Sequence, residues 1–144
     1  MFKEALPILD MPGIAAVADE PTAANAKSII GSIEQAVSLC LSEQADGMVT
    51  NPIAKHVLYD AGFKFPGHTE FLGDLSQGHA TPYANGPVMM LAAQDLRVGL
   101  ATVHIPLKAV ATQLSKDRIV ETARVMLDAL ETDFGLKNLS LIHI

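Results

Sequence analysis

Three stretches of this 144-residue sequence carry residue types whose spacing could do chemistry. The first is Pro66-Gly67-His68-Thr69-Glu70-Phe71-Leu72. A Pro-Gly turn predicts His68 and Thr69 just before a helix running from about Glu70 to Leu75, where free N–H groups and the helix dipole favour an anion. There His68 could donate to a substrate oxygen while Thr69 adds a hydroxyl. The plainer alternative is that Thr69 caps the helix and His68 lies on the surface. The second is His104, after a predicted strand and before Pro106. A neutral imidazole at a strand's C-terminal end can ligate a metal, although a lone histidine there is more often structural and a metal site needs about three protein ligands. The third is Lys55, four residues past Asn51 in the first turn of a predicted helix. It could face an anionic substrate or be an ordinary solvated lysine, and it is the weakest of these candidates.

Several other chemistries are excluded by the same sequence. His68-Thr69-Glu70 matches the His-x-Glu half of a zinc deaminase signature, but the required downstream cysteine pair is missing, since Cys40 is the only cysteine and lies upstream. One cysteine also excludes an intrachain disulfide. There is no His-Glu-x-x-His, no Gly-x-Gly-x-x-Gly and no Walker-type lysine. His56 and His79 receive no role.

The elements that must position these residues follow from periodicity. Ile29, Ile33, Val37 and Cys40/Leu41 form a stripe near the 3.6-residue period, with Thr22 as a candidate cap. Gly47-Met48-Val49 reads as a short strand running into Thr50-Asn51-Pro52. Asn51 as a cap followed by Pro52 predicts a helix from about Ile53 to Ala61, stopped by Gly62. Residues 77–87 read as a loop. Val88–Leu91 and Arg97–Val103 read as strands of a hairpin turning at 93–96, with Gly99 weakening the second. Ser115 should cap a helix reaching about Asp133, with Ile119, Ala123, Met126/Leu127 and Leu130 on its apolar side and Gly135 at its end. Leu139–Ile144 would begin another strand. Strands alternating with amphipathic helices indicate a layered α/β fold, in which ligands gather where strands end and helices begin.

Composition agrees with one partial domain over residues 1–144. The chain is 49% hydrophobic with a formal net charge of −6, which fits a globular protein and argues against wholesale nucleic-acid binding. No apolar run approaches the ~20 residues of a membrane span, and the N-terminus shows no export signal. Cytoplasm is the default location.

The same stretches resemble the 4-hydroxythreonine-4-phosphate dehydrogenase (PdxA) family. Thr50-Asn51-Pro52-Ile53-x-Lys55 is similar to its Thr-x-Pro-Ile/Val-x-Lys stretch. Ala61-Gly62-Phe63-x-Phe65-Pro66-Gly67-His68-Thr69-Glu70-Phe71-Leu72 is close to its signature. Met89-Met90-Leu91, Leu96-Arg97-Val98 and Thr102-Val103-His104-Ile105-Pro106-Leu107-Lys108 follow in the family's order, and Leu6–Leu9 and Ala23–Ala26 resemble its segment before the first helix here. The likeness extends to about Gly135. The tail, residues 138–144, departs from it.

This resemblance implies a partial layered α/β/α fold of the isocitrate/isopropylmalate dehydrogenase type. It implies an NAD-dependent oxidation of 4-phosphohydroxy-L-threonine, with loss of carbon dioxide, in pyridoxal phosphate (vitamin B6) biosynthesis. It implies His68 and Thr69 as a substrate-binding pair and His104 as one of three metal-binding histidines for a divalent ion (Zn, Mg or Co). Lys55 stays a weak candidate. The complete enzyme is expected to be a homodimer acting on a small phosphorylated substrate, with no nucleic-acid or membrane partner. Family chains are longer: they open with a Gly-Asp/Glu-Pro-Ala-Gly-Ile-Gly-Pro-like segment and carry Asn-Pro-His-Ala-Gly and His-Asp-Gln-Gly elements with the other two metal histidines. None of these occurs here, and His143 is not in such a context. The expectation is a fragment inactive by itself. A sister dehydrogenase acting on 4-phospho-threonate or 4-phospho-erythronate, and a non-catalytic α/β binding module, remain the alternatives.

Overall fold

The structure is a computed structural model that describes residues 8–11, 22–79, 86–137 and 139. It divides into two compact units, Met1–Phe71 and Leu72–Ile144.

In the first unit the predicted apolar stripe becomes α1 (Ala26–Leu41), which buries Ala26, Ile33 and Val37 while Ile29 and Cys40 stay half-buried. Thr22 does not cap it. A 3-10 turn over Ala23–Asn25 intervenes, held by the Asn25 N–H on the Thr22 carbonyl at 3.1 Å, and the Thr22 side chain makes no cap bond. The predicted strand at Gly47–Val49 does not form. A strand needs a neighbouring ladder, and the described residues of this unit contain none; Val49 is fully exposed.

The next helix starts later than Asn51-Pro52 predicts. α2 spans Lys55–Asp60, with Ala54 rather than Asn51 at its N-cap and no side-chain cap bond. Proline disfavours helical geometry in the residue before it, and the chain stays non-helical through Ala54. Its end is as expected. Gly62 adopts φ +89°, and a paired C-terminal cap forms from Gly62 N–H to the Tyr59 carbonyl and Phe63 N–H to the Leu58 carbonyl, both at 2.9 Å. α2 contributes Val57 and Leu58 to the core, and Phe63 and Phe71 complete it. Each such burial stabilises by about 1.5–3 kcal/mol before chain entropy is subtracted. α3 then spans His68–Leu75.

The second unit holds the predicted hairpin. β1 (Met90–Ala93) pairs antiparallel with β2 (Leu96–Gly99) in the register Leu91 with Val98 and Ala93 with Leu96. The two-residue turn places Gln94 at φ +44°, the sign of φ that tight hairpins require. β2 stops at Gly99 instead of Val103, because beyond it the chain bends into a helix absent from the sequence reading, α4 (Leu107–Gln113). α5 (Lys116–Thr132) forms as predicted: the Ser115 hydroxyl accepts the Arg118 N–H at 3.1 Å, and Gly135 follows the helix at φ +65°. Gly99 lets α5 approach the hairpin closely, since a Cβ there would lie 2.7 Å from the Met126 sulfur. Among the described residues no buried hydrophobic side chain lies beyond Phe71.

The class is therefore mixed α/β with a small two-stranded antiparallel sheet. The predicted strand at Leu139–Ile144 lies outside the described residues except for Leu139, as does the 80–85 part of the predicted loop. No described helix is long and apolar enough to cross a membrane.

Candidate functional site

The Pro66–Thr69 segment is held in place by aromatic side chains on both sides of it. Phe63 and Phe65 precede it and Phe71 follows, and their ring centroids lie 5.1–5.4 Å apart, with Phe63 edge-on to Phe71 at 85°. Such tilted and edge-to-face pairs are worth about 0.5–1.5 kcal/mol beyond area burial. From α2, the Tyr59 hydroxyl donates to the Pro66 carbonyl at 3.3 Å. Gly67 is buried, and a Cβ there would stand 3.4 Å from Lys55 Nζ and 3.5 Å from Glu70 Oε2. The absent side chain thus leaves room where both charged groups reach the turn.

His68 and Thr69 are the first two residues of α3, inside its first turn rather than ahead of it. The helix begins two residues earlier than predicted, so Thr69 is not its preceding cap. Thr69 is exposed and His68 half-buried. The imidazole of His68 lines a cleft of about 540 Å³ whose walls include Ile29 and Ile33 of α1 and Thr50, Asn51 and Ile53 of the extended segment. Its Nε2 atom is buried and has no hydrogen-bond partner. An unsatisfied buried polar atom costs about 1–3 kcal/mol, and a ligand oxygen or N–H reaching it would recover that cost.

Lys55 occupies the first position of α2, exposed, with its ammonium over Gly67. It joins the His68–Thr69 turn without lining the cleft. His104 belongs to the second unit. It lies five residues beyond the end of β2 rather than at the strand's end, exposed, with a left-handed backbone at φ +54°. Histidine is among the residues that tolerate this conformation. Three positions before it, the Ala101 carbonyl accepts a hydrogen bond from Arg118 Nε. Among the described residues no group of three or more His, Cys, Asp or Glu side chains is placed to hold a metal ion. At His104 the described chain offers a single imidazole donor rather than a metal site.

His68, Thr69, Lys55 and His104 are legible in the sequence as candidates, whereas the contacts around them are not. The three phenylalanines signal themselves only weakly, as Phe63-x-Phe65 and Phe71 around a Pro-Gly turn. The Tyr59 and Arg118 bonds to backbone carbonyls have no local sequence signal.

Comparison with known proteins gives a consistent answer. A family model described as pyridoxal phosphate biosynthetic protein PdxA matches residues 1–143. A protein of Caulobacter vibrioides named 4-hydroxythreonine-4-phosphate dehydrogenase is 46% identical over 137 residues, covering 94% of this chain and 41% of its own length. Proteins of the same name from Maricaulis maris and Xanthobacter autotrophicus are 43% and 39% identical, covering 92% and 98% of this chain and 40% of their own lengths. The chain thus spans about two fifths of the length of the curated relatives it matches.

Proposed function

The chain belongs to the PdxA family of pyridoxal phosphate biosynthetic proteins, and from that premise we propose that it is the substrate-recognition part of an NAD-dependent dehydrogenase. The reaction is oxidation of 4-phosphohydroxy-L-threonine, followed by decarboxylation, on the route to pyridoxal phosphate. The observation that carries this reading is the His68 imidazole, whose Nε2 is buried without a partner at the wall of a cleft, in the first turn of α3. His68 and Thr69 bind oxygens of the substrate, and the dipole at the start of α3 favours a negative charge there. Lys55, over Gly67, is an auxiliary contact to the same anionic substrate.

NAD, when bound, would supply the hydride acceptor, while the protein supplies binding and orientation. His104 would give one ligand to a divalent ion of the complete enzyme (Zn, Mg or Co), an ion whose general chemistry would be to polarise an oxygen and ease its deprotonation. The whole protein is a cytoplasmic homodimer of the layered α/β/α dehydrogenase type, of which residues 1–144 form one partial domain, with no nucleic-acid or membrane partner. This chain alone has no dehydrogenase activity; NADH formation by the purified 144-residue chain would overturn that statement.

The main test uses the full-length protein carrying this segment. NADH formation is followed with 4-phosphohydroxy-L-threonine, and with 4-phospho-threonate and 4-phospho-erythronate for comparison. Removing a hydrogen bond to a charged group costs about 1.5–3 kcal/mol, so His68→Ala is expected to lower kcat/KM about 10- to 100-fold. Turnover of one of the sugar-acid phosphates in preference to 4-phosphohydroxy-L-threonine, or an unchanged kcat/KM in His68→Ala, would overturn the reading.

A further inference from the structure

Among the described residues of the second unit, one side-chain hydrogen bond joins parts distant in sequence, and it ends three residues before His104. Arg118 Nε donates to the Ala101 carbonyl across 17 positions of sequence. Among the described residues, the other side-chain hydrogen bonds join groups seven positions apart or fewer, the longest being Tyr59 to Pro66. Arg118 is itself fixed, because its backbone N–H is held by the Ser115 hydroxyl that caps α5. Further along the same helix Met126 rests against Gly99, two residues before Ala101. α5 therefore grips the outgoing chain at the last residue of β2 and again at Ala101.

Beyond that second grip the backbone has no ladder to hold it. β2 has ended at Gly99, residues 101, 102 and 104 are bends, and His104 sits at φ +54°. A left-handed backbone is unfavourable by roughly 1–2 kcal/mol for an L-residue, so such a conformation persists where its surroundings dictate it. On the far side the chain is caught again, where the Ala109 N–H meets the Pro106 carbonyl at 2.8 Å and α4 begins. His104 thus stands on a short bend between two anchors, and Arg118 supplies the first. The placement of Arg118 is also unfavourable for the helix that carries it. A cation in the first turn of a helix opposes the dipole by about 0.3–1 kcal/mol, which an Arg spent on the Ala101 carbonyl offsets.

We propose that Arg118 is a positioning residue for His104: it fixes the 101–104 bend and thereby the backbone that carries the imidazole. Its consequence for ligand binding rests on the reading of His104 as a metal ligand, whereas the positioning itself does not. The first experiment measures backbone order parameters by NMR in the 144-residue chain, in wild type, Arg118→Ala and Arg118→Lys. In Arg118→Ala, values for Thr102–Ile105 are expected to fall from about 0.85 to below about 0.6, with β1, β2 and α5 unchanged. Arg118→Lys, which keeps a long stem and a donor, is expected to restore part of the order. Loss of order spread through α5 and the hairpin would show a general structural role and overturn the proposal, and so would unchanged values at 102–105. Should Arg118→Ala fail to fold, Arg118→Lys decides by the same criterion, with an intermediate loss of order confined to 102–105 as the supporting result.

The second experiment measures zinc affinity of the full-length protein by competition, in Arg118→Ala and in His104→Ala. Arg118→Ala is expected to weaken binding about tenfold, at the lower end of the effect of removing a group that orients a metal ligand. Weaker binding in His104→Ala with none in Arg118→Ala would overturn the functional half of the proposal. Unchanged affinity in His104→Ala would instead overturn the ligand reading, and the order parameters would still decide the positioning role.

Discussion

Replacing Gly99 by alanine gives a sharp test of how α5 is seated on the hairpin. An added Cβ would lie 2.7 Å from Met126 Sδ, 2.8 Å from its Cγ and 3.2 Å from its Cε. Carbon contacts are comfortable at about 3.5–4.0 Å, so the overlap approaches 1 Å. Methionine is adaptable, but a swing of its terminal methyl would not clear Cγ. The side chain must change an inner torsion, or α5 must move off the strand. Overpacking of this kind costs about 1–3 kcal/mol. Alanine also loses less chain entropy than glycine on folding, which returns about 0.5–1 kcal/mol. The net expectation is a loss of up to about 2.5 kcal/mol.

Urea unfolding of the 144-residue chain reads this directly. With a slope of about 1–3 kcal/mol per molar urea, Gly99→Ala should lower the midpoint by up to roughly 2.5 M. In a Met126→Ala background the clash is gone, so the same substitution should become neutral or stabilising. The coupling between the two positions should be about 1–3 kcal/mol. An equal effect in both backgrounds would refute the close approach of helix and strand.

Two further stability predictions follow from the same structure. Leu58 is 0% exposed, so Leu58→Ala should cost about 2–5 kcal/mol; Leu107→Ala, at a position 87% exposed, should stay within about 0.5 kcal/mol by the same urea measurement. Ser115→Ala removes the hydroxyl that accepts the Arg118 N–H and should cost about 0.5–2 kcal/mol, with Ser115→Asp retaining most of the stability because a carboxylate caps equally well.

What was legible in the sequence depended on how local its cause was. α1 and α5 are long enough for an apolar stripe to repeat several times, and both appear where the stripe places them. Ser115 caps as expected because an N-cap bond closes over three residues. The hairpin was visible for the same reason, although its paired part is shorter than the apolar runs suggest. Local rules failed where a stronger local or tertiary influence acted. Asn51-Pro52 has the composition of a helix start, yet the chain remains extended to Ala54, and α2 takes its buried Val57 and Leu58 from a start four residues on. Gly47–Val49 has strand residues without a paired neighbour in the described part of its unit. Leu107–Gln113 is a seven-residue helix, too short for periodicity to reveal. The candidate site residues were visible as motifs, whereas the contacts that support them join more distant positions and were not.

That contrast separates the two candidate sites physically. His68 follows a turn whose flanks, Phe63 and Phe71, belong to the buried core, and Tyr59 adds a bond from α2. Several independent contacts hold it, so loss of one should leave the imidazole nearly in place. His104 stands in a unit without a buried hydrophobic side chain among its described residues, on a left-handed bend fixed by one arginine bond before it and one helix start after it. Few contacts and exposed backbone are the conditions under which a segment opens locally at low free energy. The turn before His68 is therefore held by several contacts, while the geometry at His104 hangs on Arg118. Substitutions around His68 should be felt as stability first, and those around His104 as local order first.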